Sequence, residues 1–300
     1  MIDVLVLLPD FSLIALGWVL CRHTPLNRAL WDGVERLVYV LLFPVLLFGS
    51  IVRNPTPPDA LLHLGGVGLA VVGAGIVLAM ALRAWPQRDP SLHASGQQIA
   101  YRFNSYVALA LAERVAGPQG LAWTAVLISV CVPLCNVAAV WPLARHGGRG
   151  YWRELARNPL IIATVAGLLS NAVSLRLPDF VATTLQRIGN AALPLGLMAV
   201  GAGLRFGALR EGPGLAGALL AIRHLVLPAW AIALVMWLGL PAAQQVVVVA
   251  FAALPTSAAS YVLAVRMGGH GPYVAGLVTV STLIAMPGLP LALAALAAVR

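Results

Sequence analysis

The sequence contains no lysine; its 19 cationic residues, histidine aside, are all arginine. Charge of either sign is scarce, at 10% of 300 residues, where soluble chains carry about a quarter. No stretch between apolar runs is long enough to form a soluble domain, so any chemistry must take place inside the helical bundle. Three cysteines are too few and too badly placed for a disulfide framework. Cys131 and Cys135 lie one helical turn apart with no further ligand nearby, so neither a metal site nor a cofactor is expected. A His-Glu-x-x-His helix, a serine elbow beside a histidine and paired aspartates are all missing, which argues against an intramembrane enzyme. The amino terminus has no basic region and no small-residue cleavage site, so the first apolar stretch is expected to be a retained span.

What fills the chain instead is hydrophobic, at 60% of residues and a mean hydropathy of +0.90. A transmembrane helix needs about 20 mostly apolar residues. Ten segments qualify, near 2–21, 33–53, 61–83, 98–116, 119–144, 157–175, 182–204, 214–238, 242–265 and 272–298. The expected fold is therefore an all-α polytopic membrane protein with lipid as its surroundings. The net charge of +9 would suggest nucleic acid in a soluble chain, but here the arginines sit in short loops and no nucleic-acid partner is expected. Counted over alternate loops, Arg22, Arg28, Arg83, Arg88, Arg145, Arg149, Arg153, Arg157, Arg205, Arg210 and Arg266 fall on one side. Arg53, Arg114, Arg176 and Arg300 fall on the other. The positive-inside rule then places a multi-pass protein in the cytoplasmic (inner) membrane with both termini non-cytoplasmic. Trp31, Trp85, Trp141, Trp152 and Trp237 lie near segment ends, as interfacial belts predict.

The two halves, 1–150 and 151–300, read as copies of five segments each. Shifted by 152, Asn104 to Gly117 lies ungapped on Thr256 to Gly269, with Ser105/Ser257, Leu111/Leu263, Ala112/Ala264, Arg114/Arg266 and Gly117/Gly269 identical. Shifted by 150, Pro9 meets Pro159, Gly17 meets Gly167 and Pro44 meets Pro194. Leu/Ala-rich helices resemble one another by chance, but the same shift recurs in three places. An odd number of crossings per copy inverts the second copy, the arrangement of secondary carriers whose site lies near the midplane.

Segments four and nine have the composition least suited to a continuous apolar helix. Segment nine carries Pro255, which lacks a backbone donor and blocks the carbonyl four residues back. In lipid each freed backbone group costs several kcal/mol unless it is satisfied, so Leu254 to Ser257 is the expected unwound point. Segment four gathers Arg102, Asn104, Ser105 and Tyr106, and the repeat sets Asn104 and Ser105 against Thr256 and Ser257. If both helices break and cross there, two half-helix amino termini converge and form an anion site. Asn104, Ser105, Tyr106, Pro255, Thr256 and Ser257 are the candidate substrate-binding residues, with Asn190 as a further polar group near substrate. The alternative stays open that Pro255 only kinks a packed helix and Asn104 only caps its neighbour.

Phe103 to Arg114 followed by Gly-Pro-Gln-Gly, Asn158 to Gly167, Pro255 to Ala264 and Leu8 to Gly17 together resemble a bacterial auxin efflux carrier, along essentially the whole chain. The resemblance implies ten spans in two inverted five-helix repeats, a scaffold part and a transport part, crossed broken helices four and nine, and an elevator-like movement of small organic anions. It maps the crossover asparagine onto Asn104 and the crossover proline onto Pro255. Many relatives carry a proline after that asparagine, whereas here Val107 to Ala112 has neither proline nor glycine. Dimerisation is a family-level expectation.

Charges inside spans are functional candidates by default. Asp10, Arg223 and His224 are the candidates for charge attraction or ion coupling, although Asp10 fits a helix cap as well. Glu35, Arg36, Arg102, Glu113 and Arg187 lie close enough to segment ends to reach the interface. Pro44 and Pro194 are candidate kinks. The leading function is a carrier for a small carboxylate, by efflux or coupled to H+. The alternatives are a Na+-coupled carrier of the bile-acid-transporter kind and a non-transporting membrane sensor.

Overall fold

The computed structural model describes residues 8–53, 58–85, 89–144, 159–173, 175, 177–204, 211–257 and 259–300. Among the described residues the chain is helical, with no strand. Five helices are long and apolar enough to cross a membrane: Arg28–Arg53, Leu62–Ala84, Pro90–Leu143, Pro213–Trp237 and Gly271–Val299. Arg88, Arg145, Arg149, Arg153, Arg157, Arg176, Arg205 and Arg210, which carry most of the predicted charge asymmetry, lie outside the described residues, as does Trp152.

In chain order the helices are α1 (Leu8–His23), α2 (Arg28–Leu37), α3 (Phe43–Arg53), α4 (Pro58–Ala81), α5 (Pro90–Gly96) and α6 (Ser105–Ala144). The second half holds α7 (Pro159–Ala172), α8 (Asp179–Asn190), α9 (Ala192–Ala202), α10 (Pro213–Ala221), α11 (Leu227–Trp237), α12 (Ala242–Ala253), α13 (Ala259–Arg266) and α14 (Gly271–Val299). Gly117, at φ 58°, divides α6 into two arms, where the sequence sets Gly-Pro after the fourth apolar run. A side chain there would strain the left-handed backbone.

Two starts differ from those read in the sequence, and both bear on the site. The second segment begins at Arg28, capped by the Asn27 side chain, and not near 33. The fourth begins at Pro90, where the Asp89 carboxylate accepts from Ser91 N and Leu92 N, and not near 98. Hydropathy alone misses the first turns of α5 because His93, Ser95, Gln97 and Gln98 are polar yet buried against protein. Membrane helices hold such residues when they face the bundle interior.

The helices pack as two groups. In one, α1 lies against α9 and α3 against α7 and α8. The contacts are backbone-close: a Cβ on Gly17 would strike the Met198 carbonyl, and one on Gly201 would strike the Ile14 carbonyl. In the other, α4 and α12 pack on α6, while α11 and α14 flank α12 and α13 lies on α14. The two groups meet mainly where α6 touches α3, α7 and α9. At that junction Phe43 and Tyr106 stack with ring centroids 4.6 Å apart.

Two helices widen for one turn before a proline. Val38–Leu42 and Ile222–Val226 are π-turns, closed by Phe43 N to Val38 O and by Leu227 N to Ile222 O. They precede Pro44 and Pro228, whose missing donors would otherwise leave a gap in the ladder. Pro194 differs from Pro44, since it follows a turn at Ala191 between α8 and α9.

Candidate functional site

The ninth segment is interrupted in the middle. α12 stops at Ala253, residues 254–257 are not helical, and α13 starts at Ala259. Pro255 deprives the Phe251 carbonyl of its usual donor. Arg223, 1% exposed, supplies the replacement: Nη2 donates to Phe251 O at 3.3 Å and Nε donates to Leu254 O at 2.8 Å. A cation at a helix carboxyl end also meets the negative end of the macrodipole. Next along the chain, Thr256 N donates to Ser281 Oγ at 2.9 Å, and that hydroxyl lies 2.8 Å from His224 Nε2. Ser257 Oγ then accepts from Ala259 N and opens α13.

The fourth segment is interrupted beside the break in the ninth, without a proline. α5 tightens into a 3-10 turn at Gln97–Ala100, and residues 102–104 are not helical before α6 begins. Asn104 sets the start of α6. Its side-chain oxygen accepts from Tyr106 N at 2.9 Å and Val107 N at 3.3 Å, which is an amino-terminal cap. Its own N–H donates to Pro255 O at 2.9 Å, so each break supplies a partner to the other. Phe103 and Phe251 pack beside this junction at 4.4 Å between ring centroids. Gln98, fully buried, ties the same elements together by donating to Ser95 O and to Ser260 O, at 3.0 and 3.2 Å.

The structure thus brings Asn104, Ser105, Tyr106, Pro255, Thr256 and Ser257 to one junction at mid-segment. Several residues are placed, or partnered, differently from the sequence reading. Asn190 ends α8 as an exposed residue and is not part of the buried junction. The cap matching Asn104 is Ser257, one position later than the alignment sets it, because Thr256 turns its N–H to Ser281. Several first-turn N–H groups of the two half-helices are therefore already bonded. Arg102 does not sit near a segment end: with α5 starting at Pro90 it occupies the middle, half-buried, within the break. Arg223 and His224 are drawn into holding the unwound backbone of the ninth segment. Asp10 falls within α1, but its side chain lies outside the described residues.

Sequence reading missed Gln98, Ser281 and Pro228. A signal existed for two of them, since Gln97-Gln98 and Ser281 are polar residues within apolar runs. Gln97 Nε2, Tyr101 Oη, Thr256 Oγ1 and Ser260 Oγ are buried without a hydrogen-bond partner among the described residues, and all four belong to the two interrupted segments. Beside the junction a small pocket is lined by Ala108, Leu111, Thr124, Phe251 and Leu254 among others. Among the described residues no cluster of three or more His, Cys, Asp or Glu could hold a metal ion.

A family profile described as membrane transport protein matches residues 142–293, just over half of the chain. No curated protein matches the sequence.

Proposed function

The chain belongs to the membrane transport protein family, that of the auxin-efflux-carrier-like transporters, and from that premise we propose that it carries small organic anions across the cytoplasmic membrane by an elevator-type movement. The observation that carries this reading is the backbone hydrogen bond from Asn104 to Pro255, which joins two interrupted helices at mid-segment. Unwound backbone at membrane depth persists only where it is buried in protein or lines a cavity, and carriers use it to hold cargo. The polar groups that converge there fit a carboxylate.

Ten spans in two inverted repeats suit the packing. α1 meets α9 through Gly17 and Gly201, and α3 meets α7 through Ile51 and Gly167, so the first and second segments of each half pack reciprocally. Residues 17 and 167 are paired by the same shift of 150. The group built from α1, α2, α3, α7, α8 and α9 is the proposed scaffold, and the group containing both breaks is the moving part. An anion leaving the cell gains about 2.3 kcal/mol per 100 mV from an inside-negative potential, so efflux needs no coupled ion.

Reconstituted vesicles test the reading. Protein-dependent flux of small carboxylates, with a membrane potential imposed and Na+ and pH gradients varied one at a time, is the expected result. Flux that requires Na+ would select the sodium-coupled mode. Absence of flux for every carboxylate, with binding absent as well, would end the carrier proposal.

A further inference from the structure

Two arginines lie within interrupted or widened membrane segments, and the structure treats them differently. Arg223 is spent on the fold: its guanidinium fills the Phe251 and Leu254 carbonyls and is shielded from solvent. Arg102 is half-buried and keeps part of its side chain exposed. Its side-chain bond runs from Nη1 to Gln98 Oε1 at 3.3 Å, long for a charge-assisted contact. Gln98 is held at its other end by Ser95 O and Ser260 O, so that bond aims the guanidinium and leaves its charge unanswered.

No carboxylate answers it among the described residues. Glu35 and Asp32 are engaged by Arg28, and Glu113 is exposed on the first arm of α6. The titratable side chains that act on Arg102 are the Cys135 thiol and the Tyr101 and Tyr39 phenols, none of them a carboxylate. The amino ends of α6 and α13 add partial positive charge at the same junction. A cation held at mid-membrane is costly and usually pairs with another group. A planar guanidinium offers two parallel donors, which is the geometry of a carboxylate.

We propose that Arg102 is the residue that takes the carboxylate of the transported anion, with Gln98 as its positioning residue and the Asn104 junction as the surrounding frame. This rests on the carrier reading and sharpens it: the cargo presents one carboxylate to one guanidinium.

The test is a binding experiment on the purified full-length protein. Calorimetric titration of acetate, benzoate, phenylacetate and succinate, each beside its neutral amide, identifies the tightest wild-type ligand as the probe. For that probe, Arg102→Gln should weaken binding by about 30-fold or more and abolish the preference of acid over amide. Arg102→Lys, which keeps the charge but loses the fork, should fall between the two and serves as the decisive variant if glutamine prevents assembly. Wild-type affinity and wild-type acid preference in the variants would overturn the role of Arg102 and leave the carrier reading standing. A wild-type protein that binds no carboxylate would instead remove the carrier reading, and this assignment with it.

Discussion

The two breaks differ in cause, although they lie against one another. At the ninth segment Pro255 is a local instruction, because no arrangement of neighbours restores its missing N–H. At the fourth segment no proline or glycine interrupts Gln98 to Ala112, and the helix still opens at 102–104. There the chain has a better offer elsewhere. Asn104 gives its side chain to Tyr106 and Val107 and its N–H to Pro255 O, and the Tyr101 carbonyl receives the Cys135 thiol at 3.6 Å. One break is written in the residue that breaks, and the other in residues that wait across the interface.

That contrast predicts which substitutions matter most. The largest effect is expected at Arg223. Arg223→Leu leaves the Leu254 carbonyl unpaired and the Phe251 carbonyl with only the long bond from Leu254 N at 3.5 Å, at about 1–3 kcal/mol each, while relieving the cost of a buried charge. The expected net loss is about 2–5 kcal/mol in a denaturant titration in detergent. A loss within error would mean that the ninth break does not depend on this cap. Ser281→Ala comes next, since it strands the Thr256 N–H, for about 1–3 kcal/mol by the same measurement.

Asn104→Ala removes a cap used by two amides and should cost about 1 kcal/mol. It should also increase amide exchange at 102–107 more than at 254–260, because the fourth break has no proline to keep its shape. Equal increases at both breaks would show that they open together as one unit. The smallest effect on stability belongs to Pro255→Ala, within about 1 kcal/mol, the scale of ordinary surface and turn changes. Restoring an N–H at 255 should let the segment close toward a continuous helix, seen as newly protected amides at 254–257 and slowed flux. Unchanged exchange there would place the cause of the break in Arg223 and Ser281 instead.

Much of this was legible in the residues, and the omissions share a reason. Apolar length marked the five helices long enough to cross a membrane, and Pro255 marked its own break, because both are properties of a residue and its near neighbours. Arg102 was misplaced because α5 starts with polar residues that protein buries, which a hydropathy window takes for loop. Ser281 and Gln98 were missed because their partners lie 25 and 162 residues away. Asn190 fell out for the opposite reason, a polar residue in an apolar run that ends a helix at the surface.

From the amino acids alone come the all-helical character, the bilayer as solvent and the place where the ninth segment must interrupt, since transfer free energy and a missing N–H need no partner to be known. Folding in three dimensions decided which side chain fills each freed backbone group, that the fourth segment opens beside the ninth, and which of the two arginines stays partly exposed. Those choices compare hydrogen bonds between residues far apart in sequence, and such a comparison has no value until the helices have packed.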